Sequence, residues 1–125
     1  MYHEVPKDYV GENLRPEIFL KVLQGEETGV GSGKTLRSGP NDNVFVYFAD
    51  HGAPGLVCFG HHILKATDLN KAIMNMHQNK KYKNMVFYVE ACESGSMFEV
   101  YSEQTGPPRC RGSSPRNCYA SSVMP

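Results

Sequence analysis

The sequence predicts an α/β fold built on a mostly parallel sheet. Val44-Phe45-Val46-Tyr47-Phe48 and Met85-Val86-Phe87-Tyr88-Val89 are continuous apolar runs of strand length, the pattern of strands covered on both faces. Between them Leu69, Ala72, Ile73 and Met76 recur at i, i+3, i+4 and i+7, one apolar stripe of a helix. Strand, helix, strand is a parallel crossover, expected to be right-handed. Both strands then end on one edge of the sheet, the edge where open α/β sheets bind ligands. The first run stops at Ala49-Asp50-His51-Gly52 and the second at Glu90-Ala91-Cys92-Glu93-Ser94-Gly95-Ser96.

The remaining elements follow in chain order. Residues 1–14 read as a loop. Pro16 sits where a first helical turn accepts it; Ile18, Phe19, Val22 and Leu23 repeat at helical spacing, and Gly25 is the stop. From Gly25 to Pro40 the chain is rich in glycine, serine and charge, a long surface loop of the kind that carries function or motion. Gly55-Leu56-Val57-Cys58-Phe59-Gly60 is a short extended piece between turn residues. Thr67 or Asp68 is placed to cap the second helix. Met74 and Met76 read as core or core edge. Asn79-Lys80-Lys81-Tyr82-Lys83-Asn84 ends that helix in a solvated loop. Past Tyr101 no period remains, and residues 102–125 read as irregular or disordered.

Composition narrows the function classes. With 125 residues the chain holds at most one modest domain. Net charge is zero and the pI is near 6.9. No basic stripe marks a nucleic-acid partner. The apolar runs fall far short of the roughly 20 residues that span a bilayer, and no membrane association is expected. Met1-Tyr2-His3-Glu4 has neither the basic nor the apolar region of a signal peptide. Four cysteines, Cys58, Cys92, Cys110 and Cys118, allow three pairings or none. Their spacings lack the CxxC halves of a zinc site, and no metal is expected. His61, His62 and His77 read as exposed polar residues. Gly29-Val30-Gly31-Ser32-Gly33-Lys34-Thr35 superficially resembles a phosphate-binding loop. Yet Thr28 stands where that motif needs glycine, and a helix precedes it where a strand should.

Cys92 and His51 at one sheet edge suit a nucleophile and its base. The imidazole withdraws the thiol proton or stabilises the thiolate, and later protonates the leaving amine. Developing oxyanion charge needs main-chain N–H donors. Cys92 supplies one. Gly52 supplies another, because a residue without a side chain lets a carbonyl approach closely. A helix starting at Ser94-Gly95-Ser96 would further favour the thiolate. Glu90 and Glu93 flank the thiol, and two carboxylates there must be solvated or line a polar pocket. The plainer alternative is a buried small hydrophobe at 92 and a turn at 51–52.

The stretch from Glu90 to Glu99, taken with Tyr47-Phe48-Ala49-Asp50-His51-Gly52, resembles the legumain family of asparaginyl endopeptidases, the vacuolar processing enzymes. Val5-Pro6-Lys7-Asp8-Tyr9-Val10-Gly11-Glu12, Gly31-Ser32-Gly33-Lys34 and Ser38-Gly39-Pro40 share in the resemblance, which runs from about Val5 to Glu99. It implies a caspase-like three-layer α/β/α sandwich with a mostly parallel sheet, here incomplete at both ends. It implies a partial peptidase domain over 1–101 and a non-matching tail over 102–125. It also implies a cysteine endopeptidase that cleaves after asparagine in protein or peptide substrates, without a cofactor, in the lysosome or vacuole.

Matched residue by residue, Cys92 is then the nucleophile, His51 the general base and acid, and Gly52 an oxyanion donor. Glu90 belongs to the asparagine-binding pocket, where its carboxylate accepts from the substrate amide. Asp50 matches the aspartate known in the family to cyclise to a succinimide. The family also carries an earlier strand, further pocket residues and a C-terminal prodomain outside the matching stretch, so weak or no turnover is expected of this polypeptide alone. Two other readings stand beside the protease. One is a catalytically dead fragment acting as an interaction module through its sheet edge. The other is a transamidase-like relative, against which the acidic residues beside Cys92 argue.

Overall fold

A computed structural model describes residues 5–98 and the backbone of 109–111 and 119–124. Helix α1 (Pro16–Gln24) starts with proline in its first turn and ends at Gly25, whose φ of 75° closes the helix in the left-handed conformation. Strand β1 (Asn43–Ala49) follows. Then come three short strands, β2 (Gly52–Ala53), β3 (Leu56–Phe59) and β4 (His62–Lys65), paired antiparallel in that order as a small separate sheet. The extended piece foreseen at 55–60 is the middle strand of this sheet. Its partners are too short and too mixed in composition to show a period. Helix α2 (Ala66–Gln78) leads into β5 (Asn84–Glu90).

β1 and β5 pair in parallel from Asn43↔Asn84 to Ala49↔Glu90 without a slip. The chain thus has the α/β class predicted, with the parallel β1–β5 pair at one side of the described sheet. One face of that pair carries Val44, Met85, Phe87 and Val89, all buried. Both helices cover this face: Leu23 of α1 and Leu69, Ile73 and Met76 of α2 join the same core. Phe19 of α1 lies 6.4 Å from the Phe48 and Phe87 rings and 5.4 Å from Phe59. The other face is open. Phe45 and Tyr47 are 67% and 56% exposed, so β1 is not covered on both sides among the described residues. Its continuous apolarity marks a surface that this stretch of chain leaves bare.

Other expectations are corrected locally. Lys65, not Thr67 or Asp68, is the N-cap of α2, and no side chain caps it. β4 runs directly into the helix, which leaves no loop residue to turn back. Met76 is buried and Met74 is exposed, one step off the apolar stripe. The 26–42 loop is tied down at several points. Tyr9 Oη donates to the Lys34 carbonyl at 2.7 Å, Ser32 N–H to the Asp8 carbonyl at 2.9 Å, and Leu36 N–H to the Val22 carbonyl at 2.9 Å. Within the segment expected to be irregular, β6 (Arg109–Arg111) and β7 (Tyr119–Met124) are strands, β7 antiparallel to β5. The physical reason is the far edge of β5, whose main-chain groups are satisfied by pairing with β7. Cys110 and Cys118 have no described side chains, so any pairing of theirs lies outside the described residues. No helix among the described residues is long and apolar enough to cross a membrane.

Two measurements check this core. Ile73 is wholly buried between α2 and the sheet, and Ile73→Ala is expected to cost about 2–5 kcal/mol, read as a lower urea midpoint. Burial also raises the Tyr82 hydroxyl pKa above its ordinary 10.0. The folded state therefore holds that proton more tightly than the unfolded chain. Its contribution is intact below pH 10 and is lost as pH rises through the folded value. Relative to Tyr82→Phe, wild type is expected to lose stability above about pH 10 in urea titrations at stepped pH.

Candidate active site

The register of β1 and β5 sets the site. Because Ala49 pairs with Glu90, the residues that follow each strand emerge side by side on one rim. The pairing continues one step further, with Asp50 N–H donating to the Glu90 carbonyl at 3.2 Å. Two residues on, the chains touch: a Cβ placed on Gly52 would collide with the Cys92 carbonyl oxygen and lie 3.2 Å from Ala91 Cβ. Only glycine fits there. The segments bearing His51 and Cys92 are therefore neighbours on the same rim. His51 is exposed and Cys92 half-buried. Cys58 and Cys92 are thiols, not disulfide sulfurs.

The main chain of His51 is held on both sides. Its N–H donates to Asp50 Oδ1 at 2.7 Å, and its carbonyl accepts from Cys58 N–H at 2.7 Å. Asp50 Oδ2 accepts from Gly60 N–H at 3.2 Å, which ties the β3–β4 turn back to the end of β1. Gly52 pairs with Val57 in β2–β3. Antiparallel ladders alternate bonded and non-bonded pairs. The Cys58–His51 bond marks the bonded pair, so the Gly52 N–H turns away from β3.

The segment after Cys92 is wound tightly. Glu93 has φ 56°, the left-handed region that a non-glycine residue seldom occupies. Its carbonyl accepts from Ser96 N–H at 3.0 Å and from Ser96 Oγ at 2.6 Å. Ser96 Oγ also accepts from Gly55 N–H at 2.8 Å, which pins this turn to the β2–β3 connection. In place of the helix expected at Ser94 there is a five-residue 3-10 turn, Ser94–Phe98, too short to bring a macrodipole to the thiol. Met97 and Phe98 are buried, and the Met97 carbonyl accepts from Asn70 Nδ2 at 2.9 Å. Helix α2 thereby anchors the turn from below.

Glu90 ends β5 with an exposed side chain, and Tyr47 Oη donates to its Oε2 at 2.5 Å. Tyr47, Ser96 and Asn70 were not foreseen as parts of the site. Tyr47 becomes visible only through register, as the diagonal neighbour of Glu90 across the parallel pair. Among the described residues no group of three or more His, Cys, Asp or Glu is placed to hold a metal ion.

The fold is an α/β sheet with a cysteine-bearing and a histidine-bearing segment packed together beyond its parallel strand ends. Residues 1–106 match the Peptidase C13 family, and the chain belongs to that family. It is 58% identical to legumain of Rattus norvegicus over 100 residues, which is 78% of this chain and 23% of the relative. Legumain of Homo sapiens is 48% identical over 119 residues, 87% of this chain and 28% of the relative. The vacuolar-processing enzyme delta-isozyme of Arabidopsis thaliana is 54% identical over 103 residues, 79% of this chain and 22% of the relative. The chain thus spans about a quarter of the length of these relatives.

Gly52→Ala tests the packing of the two segments. The added methyl meets a backbone carbonyl, which cannot rotate aside, and the expected cost is about 1–3 kcal/mol, read as a lower urea midpoint. An unchanged midpoint means that the segments do not pack as described.

Proposed function

We propose that this chain carries the nucleophile and base of a cysteine endopeptidase that cleaves after asparagine. The observation that supports it most is the approach of Gly52 to the Cys92 carbonyl beyond the strand ends, in a chain that belongs to the Peptidase C13 family. In this reading His51 takes the Cys92 proton, and the thiolate attacks the carbonyl carbon of the scissile peptide. The Gly52 and Cys92 N–H groups receive the oxyanion. The tetrahedral intermediate collapses to a thioester as His51 protonates the leaving amine. Water, or an amine in ligation, then releases the acyl group. The Glu90 carboxylate accepts from the carboxamide of the substrate asparagine and repels an aspartate in the same place. Asp50 holds the main chain of His51. Protein and peptide substrates follow from this chemistry, and a lysosomal or vacuolar setting belongs to the same reading, supported by a relative named a vacuolar-processing enzyme.

A second reading draws on β1, an outer strand among the described residues whose Phe45 and Tyr47 are exposed: a module that binds a partner without catalysis. One experiment separates the two. The chain is incubated with a short peptide bearing an electrophile after asparagine, and adducts are located by mass spectrometry. A single covalent event needs no turnover, so it reads the nucleophile and pocket directly. The proposal expects modification at Cys92 and not Cys58, none in Cys92→Ala, and a rate at least about tenfold lower in His51→Ala. A cooperative melt with no modification favours the binding module. Equal modification by probes with alanine in place of asparagine overturns the asparagine assignment.

A further inference from the structure

Tyr47 lies at the middle of β1 in an apolar run, where a phenylalanine would satisfy the strand pattern equally well. Its hydroxyl nevertheless reaches Glu90 at 2.5 Å. The geometry follows from register. Tyr47 pairs with Tyr88 and Ala49 with Glu90, so Tyr47 and Glu90 are diagonal neighbours on the open face, a separation that an aromatic side chain spans. The ring is held in turn by Tyr88, with centroids 5.6 Å apart and planes 20° from parallel. A short acidic side chain at an exposed strand end is otherwise free to rotate into solvent, and fixing it on ligand binding costs rotamer entropy.

We propose that Tyr47 is a positioning residue for substrate recognition: it donates to Glu90 Oε2 and pre-sets the carboxylate for the carboxamide of the incoming side chain. A carboxylate accepts several donors at once, so the bond from Tyr47 leaves capacity for the substrate N–H. The stacked Tyr47–Tyr88 pair is the rigid floor that fixes the direction of that capacity. The inference rests on the reading of Cys92 as nucleophile and Glu90 as substrate contact, two residues apart on one strand end.

Tyr47→Phe removes the hydroxyl and keeps the stacked ring. Wild type, Tyr47→Phe, Glu90→Gln and the double variant are each treated with the asparagine-directed electrophile and, separately, with methyl methanethiosulfonate, which carries no carboxamide to recognise. Tyr47→Phe is expected to slow the asparagine probe about tenfold and to leave the methanethiosulfonate rate at Cys92 and the urea midpoint unchanged. In the Glu90→Gln background the same substitution is expected to have little further effect, because the two residues act as one unit. Equal slowing of both reagents shows a general disturbance of the thiol and overturns the inference, as does an asparagine-probe rate unchanged by Tyr47→Phe. Additive losses overturn it too. Failure of the wild-type chain to react with the asparagine probe overturns the underlying reading, and the inference falls with it.

Discussion

The unbroken parallel pairing of β1 with β5 is the constraint on which the rest depends. Seven residue pairs in register bring Ala49 opposite Glu90, and everything beyond the strands inherits that alignment. A slip of one residue would exchange the faces of a whole strand. It would turn Val44 outward and Phe45 into the helices, and it would separate Tyr47 from Glu90. Register here is fixed by burial on one side only. Met85, Phe87 and Val89 have one face to occupy, and α1 and α2 both lie over it. The same burial that stabilises the core thus aligns the segments bearing His51 and Cys92.

Support for those segments comes from three directions. The small β2–β3–β4 sheet holds the His51 main chain through Cys58 and reaches Asp50 through Gly60. Asn70 of α2 holds the turn after Cys92 at the Met97 carbonyl. Ser96 links that turn to Gly55 and so joins the two sides. Each bond is modest by itself, about 0.5–1.5 kcal/mol net. Their joint effect is to leave the 50–52 and 92–96 segments few alternative conformations, which is what a preorganised site requires.

The long, periodic elements were legible from sequence. Gly25 and Pro16 bound α1 because their backbone preferences act locally, and the stripe of α2 is buried at every position named for it. The two apolar runs are strands for the same reason. The residues at their ends, His51, Gly52, Glu90 and Cys92, could be picked out because a strand end fixes where a side chain emerges. The small sheet was only half visible, since β2 has two residues and no period. The cap of α2 was misplaced because β4 feeds the helix without a loop. β6 and β7 depend on the edge of β5 rather than on their own composition. Tyr47 was hidden for another reason: it looks like core, and only pairing with a distant strand reveals a polar partner for its hydroxyl.

The open side of the sheet has a practical consequence. β1 presents Phe45 and Tyr47 to water beside main-chain groups with no neighbour strand among the described residues. Sticky aromatic surface and a free hydrogen-bonding border together make a template for self-association. Handled by itself at high concentration, this polypeptide has a built-in route to colloidal instability, and charged substitutions along that border are the natural means of keeping it dispersed.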